Sequence, residues 1–464
     1  MSTRRTELLA VGGLALIGVL FWALVPTYPN YDAYYHLDWG REIVGGRLPT
    51  FEAYQAPTEH PLYLALCAVL GLLGEHADRA LVLFTVLCHV AFTYAVYRLG
   101  AAIWDRRAGV AAALLAGSSF ALLLYAARAY VDEPFLALVL WAGALEAEKP
   151  RREGIVWALL VLAGLLRPEA WILGGLYWLW LGRGRAPGPL SRLPLVVAAP
   201  LVWCAVDAVV TGDPLFSLHS TSDLADELNR TRSFSEVPGD FVSFLVDTAR
   251  LPVAVAAVAG VWWSWRRRDA RSVHVPLALF AAGSFTFFAT SVAGLSVLPR
   301  YLTVPAVALC LPAGYLVTRS RALLTVAVVA GLAFVVVRAD AFDRLATELR
   351  FIRSTHDDLT AVLRTPAVAA ARRCGPVTLP NYRLVPDARW ILDAGQKQVG
   401  SRSAVERTSG VALLLVGDKL LRRYGFADGA SPKTNAPPDG FLRGPMRGGF
   451  TAYVACPAAP RTSG

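Results

Sequence analysis

The first polar stretch of the chain reads Tyr31-Asp32-Ala33-Tyr34-Tyr35-His36-Leu37-Asp38-Trp39-Gly40-Arg41. Asp32 there could take a proton as a general base, or cap the helix that the following residues favour. Asp38 and Arg41, three apart, read as a surface pair on that helix. In Arg128-Ala129-Tyr130-Val131-Asp132-Glu133-Pro134, two carboxylates sit side by side. Paired hard oxygen ligands suit Mg²⁺ or Mn²⁺ clamping a phosphate; two acids at the start of a helix are the bland alternative. Arg167-Pro168-Glu169 and Pro299-Arg300-Tyr301 each carry a planar guanidinium suited to a phosphate. There is no CxxC, no HExxH and no Cys/His cluster with zinc spacing, so a dedicated metal cage is not expected.

The elements that position these residues are long apolar runs such as 8–25 and 322–337 in a chain that is 55% apolar. Runs of that length and purity read as transmembrane helices. The net charge of +10 does not mark a nucleic-acid binder, because the basic residues lie in short loops between the runs. Spans are expected at 7–26, 79–103, 108–127, 134–148, 154–167, 168–182, 193–210, 250–265, 274–294, 300–318 and 322–338. The apolar run 61–74 would reach only about 21 Å as a helix, short of a core of roughly 30 Å. If it is interfacial or re-entrant, Arg4-Arg5, Arg106-Arg107, Lys149/Arg151/Arg152, Arg183/Arg185/Arg192, Arg266–Arg268 with Arg271, and Arg319/Arg321 all fall on one side. That threading has about eleven spans, the N-terminus in the cytoplasm and the C-terminus outside. Met1–Arg5 with its apolar run reads as an uncleaved signal anchor, since no small-x-small cleavage site follows. The outer face then collects the loops 26–78 and 211–250 and every motif above. Interface-belt aromatics and snorkelling arginines are the alternative account of those motifs.

From about residue 340 the composition turns polar and mixed. A helix over 342–373, strand-like runs at 376–379, 411–416 and 450–455 and a helix near 387–394 read as a small α/β domain outside the membrane. Residues 1–339 form the transmembrane domain and 340–464 this second one. Cys67, Cys88, Cys204 and Cys310 lie in apolar runs as buried small hydrophobes. Cys374 and Cys456 flank two strands in an oxidising compartment and are read as a disulfide; two unpaired thiols are the alternative.

Taken in order, the motifs resemble the GT-C superfamily of membrane glycosyltransferases that use polyprenyl-phosphate sugars. The likeness is to its protein O-mannosyltransferase and aminoarabinose-transferase branch. It runs from Tyr31 to about Thr318 through Asp32, Glu59-His60-Pro61-Leu62-Tyr63, Asp132-Glu133, Leu166-Arg167-Pro168-Glu169, Thr211-Gly212-Asp213-Pro214-Leu215 and Pro299-Arg300-Tyr301-Leu302-Thr303-Val304-Pro305. Leu62 stands where many relatives have a second proline, and the acidic motif at Asp132 is short; branch and metal stay open. The resemblance implies a GT-C-like, all-α polytopic fold and an inverting transferase at the extracytoplasmic face of the plasma membrane, acting in the cell envelope. It implies Asp32 as base, with Asp132 and Glu133 in the catalytic set. Arg300, Arg128 and His36 would hold the donor phosphate, and Tyr34, Tyr35, Trp39, His60 and Glu169 the substrate. A metal, if any, would be Mg²⁺ or Mn²⁺ on Asp132 and Glu133. The partners would be a polyprenyl-phosphate sugar, the bilayer, and a glycan, lipid or protein acceptor, with no nucleic acid.

Two other classes fit a polytopic chain. A transporter or flippase of a lipid-linked precursor should carry ionisable residues in mid-span or pseudo-repeats. Here charge gathers at outer ends, and His89, in mid-span, reads as a core residue with a satisfied hydrogen bond. A non-catalytic envelope scaffold would put its working surface in the C-terminal domain.

Overall fold

The computed structural model describes residues 3–182, 190–231, 233, 235–404, 407–425 and 432–456. Arg183 and Arg185, part of one predicted basic loop, lie outside them. Each apolar run is helical, from Thr3–Leu24 and Ala77–Ile103 through to Thr303–Val317 and Arg321–Val337. Among the described residues, five helices are long and apolar enough to cross a bilayer, or up to eight if each bent pair forms one span. The expected count of about eleven spans included Gly154–Gly164 and Glu169–Gly182, of 11 and 14 residues. Those are only about 17 and 21 Å long, less than the hydrocarbon thickness. Pro61–Gly71 is likewise a helix of only 11 residues.

Arg321–Val337 buries no residue, although Leu324, Val326, Val329, Leu332 and Val336 are all exposed on it. The first helix is also almost entirely unburied along its apolar length, Gly18 being the exception. In water such surfaces would be expensive; in lipid they are the solvated faces. The protein is a multi-pass membrane protein. Where its helices touch, small residues let backbones approach. A Cβ on Gly260 would lie 2.1 Å from Pro312 O, and one on Gly314 2.5 Å from Ala112 N. The pair Val237–Ala249 and Leu251–Arg267 bends by 95° at Arg250, whose φ is +71°. Pro252 follows, lacking the N–H that would extend the first helix.

The chain divides into two compact units. One comprises Met1–Thr27, Thr58–Leu66 and Arg79–Leu345; the other comprises Tyr28–Pro57, Cys67–Asp78 and Ala346–Gly464. Much of the first outer loop therefore packs with the C-terminal residues. The second unit holds a five-stranded sheet in the order β2-β1-β3-β5-β4: β1 Val377–Leu379, β2 Val399–Ser401, β3 Gly410–Leu415, β4 Leu442–Arg447 and β5 Phe450–Ala455. β1 pairs in parallel with β2 and β3, while β5 is antiparallel to β3 and β4. Val377, Leu379, Val411, Leu413, Leu415 and Phe450 form its core with Leu359, Val362 and Leu363 of the helix Ala339–Leu363. That helix stops short of the predicted residue 373 because Pro366 opens a new one, Pro366–Ala371. β2 and β4 were not foreseen. β2 is three residues with a central glycine, and β4 is a polar edge strand containing a proline, a position where proline is tolerated. Cys374 and Cys456 are joined as a disulfide with their Cα atoms 5.2 Å apart.

Candidate active site

In the transmembrane unit, Asp132 and Glu133 open the helix Asp132–Glu148 and are completely buried. Arg167, in the turn between two short apolar helices and 4% exposed, donates from Nη1 to Asp132 and from Nε to Glu169 Oε1 at 3.0 Å. A buried guanidinium shared by two carboxylates satisfies charge and hydrogen-bonding needs together. Its Cζ lies 5.2 Å from the centre of the Tyr301 ring, and that of Arg300 lies 5.8 Å from the same ring. Arg300 is half-buried in the turn Pro299–Leu302. Arg128 is half-buried just after the helix Phe120–Ala127. Arg300, Asp132 and Glu169 are thus gathered around Arg167 and Tyr301.

Glu133 turns to a different partner. Its carboxylate lies 3.0 Å from His89 Nδ1, and His89 Nε2 lies 2.9 Å from Gly117 O, so the mid-span histidine is satisfied. The adjacent acids diverge, each to its own cationic or imidazole partner. Among the described residues, no group of three His, Cys, Asp or Glu side chains could hold a metal ion. The pair does not fit a Mg²⁺ or Mn²⁺ clamp. His60 meets Trp203 edge to face, ring centres 5.7 Å apart. Its neighbour Glu59 is the buried one, 2% exposed. Ser217 Oγ is within hydrogen-bond distance of both Glu59 and Asp207, and the Ser217 N–H donates to Asp207 Oδ2 at 2.9 Å. Burial, with Asp207 beside it, pushes the Glu59 carboxyl well above the usual range. This acidic pair was missed; the available signal was a lone aspartate inside the apolar run 193–210.

In the second unit, Asp32 is half-buried in the first turn of the helix Tyr31–Val44. The N-cap is Asn30, whose side chain accepts from Ala33 N at 2.9 Å. Capping therefore does not account for Asp32. His36 Nδ1 donates to the Asp32 carbonyl at 2.7 Å, and burial lowers its pKa to about 4. Burial thus disfavours the charged form of this imidazole. Trp39, expected as a sugar platform, is instead core: it is fully buried, packs on Phe51 at 4.9 Å and donates to Thr50 O at 3.2 Å. Tyr34 and Tyr35 are 3% and 1% exposed.

Asp38 and Arg41 are not a surface pair. Asp38 is 4% exposed, and its carboxyl is pushed well up by burial, partly countered by Arg389. Arg41 lies over the Trp390 ring, 3.2 Å from its centre, and donates to Trp390 O at 2.8 Å. Arg389 donates to Glu42 at 2.8 Å and lies 3.8 Å from Asp38. The reason is tertiary packing: Ala33 through Gly40 are all buried, more than two full turns, so every face of this stretch is covered and polar side chains that look exposed in sequence face a packed partner.

No family model matches the sequence, and no curated protein matches it in sequence. Among solved structures, ArnT from Cupriavidus metallidurans bound to undecaprenyl phosphate superposes with a TM-score of 0.59 at 12% identity, covering 99% of this chain and 100% of that one. Its apo state gives 0.58 at 13% identity over 97% and 98% of the two chains. The Archaeoglobus fulgidus oligosaccharyltransferase tethered to an acceptor peptide gives 0.50 at 12% identity, over 97% of this chain and 74% of that one. At this identity the likeness is one of fold. It extends over nearly the whole of both ArnT chains, C-terminal α/β part included, and by it the chain has the fold of the GT-C membrane glycosyltransferases.

Proposed function

We propose that the chain is a membrane glycosyltransferase that moves a sugar from a polyprenyl-phosphate donor to an acceptor hydroxyl at the extracytoplasmic face of the inner membrane. The observation that carries this reading is the end-to-end likeness to ArnT, a protein solved with undecaprenyl phosphate bound. In the proposed reaction Asp32 takes the proton of the acceptor hydroxyl as its oxygen attacks the anomeric carbon. The bond to the phosphate oxygen breaks on the opposite face, so the configuration inverts, and the polyprenyl phosphate departs as an anion. Arg300, with Arg128, balances that charge. That the N-cap role belongs to Asn30 supports a chemical task for Asp32. Arg167, Asp132 and Glu169 hold the ends of their helices in register and position the turn bearing Arg300.

The test is turnover of short-chain polyprenyl-phosphate sugars by purified protein, read as released lipid phosphate. Asp32→Asn keeps size but cannot accept the proton, and is expected to lose on the order of 10²-fold or more in turnover with donor binding intact. Arg300→Ala is expected to weaken donor binding as well as turnover, because the phosphate is charged in ground and transition states alike. Full activity in Asp32→Asn removes the base; inactivity of the wild type on every donor removes the reading.

A further inference from the structure

The C-terminal unit encloses a cavity of about 280 Å³ that the proposed reaction does not use. It lies against β1 and β2 and is lined by Tyr35, Tyr54, Tyr382, Arg389, Lys397 and Arg407, among others. Its volume is just below the span of small-molecule sites, about 300–1,000 Å³, which suits one ring rather than a chain. Three lining side chains are cationic, and no described lining residue is acidic. Arg389 gives the second, independent observation. Its side chain is 1% exposed, Nη2 is engaged by Glu42 at 2.8 Å, and Nη1 has no hydrogen-bond partner among the described residues. A buried guanidinium N–H without a partner costs free energy that a ligand oxygen would recover. Three tyrosines supply apolar ring faces with polar tips. The Tyr35 hydroxyl donates to Tyr54 O at 3.4 Å, which holds its ring in the cavity wall. Lys397 and Arg407 are exposed.

We propose that this cavity binds a single monosaccharide ring bearing one anionic group. Aromatic rings take the C–H face of the sugar, Arg389 supplies the buried donor, and Lys397 with Arg407 balances the charge. The inference stands on this unit alone, whether or not the transfer reaction proves correct.

The experiment is a saturation-transfer NMR titration of the full chain in nanodiscs. Four probes are compared: methyl glucuronide, glucose 6-phosphate and methyl glucoside are observed directly, and inorganic phosphate, which has no carbon-bound proton, is read by its competition with the charged sugars. Binding of at least one charged sugar is expected, about tenfold tighter than the neutral glucoside or phosphate alone. The uronide and phosphate arms tell which anion is preferred. The double variant Lys397→Ala, Arg407→Ala is expected to weaken the preferred sugar by about tenfold or more. Equal binding of the neutral glucoside overturns the charge requirement, and equal binding of phosphate alone overturns the sugar. Absence of binding by all four, or an unchanged double variant, overturns the site.

Discussion

Arg167 shows what a single residue carries in this molecule. Three charged side chains with almost no exposure form one network, and removing the central one strands two carboxylates in a low-dielectric setting. Breaking a buried pair typically costs about 3–5 kcal/mol. Arg167→Ala is therefore expected to lower the thermal midpoint in detergent strongly, while Arg167→Ala with Asp132→Asn and Glu169→Gln recovers part of the loss. His36 makes a prediction of opposite electrostatic sense. Its folded pKa of about 4 lies below the unfolded value near 6.5. Between those values the unfolded state binds more protons, so the contribution is complete above the unfolded pKa and is lost as pH falls toward the folded one. Acidification from pH 7 to 5 should cost on the order of 2 kcal/mol through this group. His36→Asn should flatten that part of the pH–stability curve; an equally steep curve in the variant would rule the histidine out.

At the scale of elements, the disulfide ties the start of β1 to the end of β5 across a separation of 82 residues. A disulfide typically stabilises by about 2–4 kcal/mol, and a loop of this length lies at the upper end of that range. Cys456→Ser should lower the stability of the C-terminal unit by that amount, and unreduced wild type, once unfolded, should expose two fewer alkylatable thiols than reduced protein. Complete alkylation without reductant would exclude the bridge. The strands it joins differ in how legible they are. β3, with Gly410-Val-Ala-Leu-Leu-Leu415, is a buried apolar run bounded by a glycine, and such a run announces itself. β4, reading Leu-Arg-Gly-Pro-Met-Arg, has no period of two and exists because β5 offers it an open edge. The helix Tyr31–Val44 was legible as a helix but not in its faces, since the pattern of acids and aromatics looked like solvent and interface contact. Its partner helix Val385–Leu392 supplies Arg389 and Trp390 from some 350 residues away, and no local spacing encodes that distance.

For the molecule as a whole, loop charge gives an expected orientation that the proposed chemistry depends on. Reporter tags at Arg106, Arg152 and Arg268 are expected to read cytoplasm, and one appended to the C-terminus to read outside. A cytoplasmic C-terminus would overturn the proposed active face. The helix count is a separate matter, since several apolar helices are too short or too bent to be single straight spans.

Sequence by itself determined the polytopic helical class, the small C-terminal α/β part and the positions of its longer strands. These depend on hydropathy runs and periodicity, which are local. The order and topological placement of short motifs also carried the GT-C resemblance, to which the fold corresponds. Tertiary structure alone decided how buried charge is partnered. It gave Asp132 to Arg167 and Glu133 to His89, turned Trp39 and Asp38 inward, and set Glu59 beside Asp207. Desolvation makes each of those groups costly unless it meets a particular partner, and partners are chosen by packing in three dimensions, where residues far apart in the chain are neighbours.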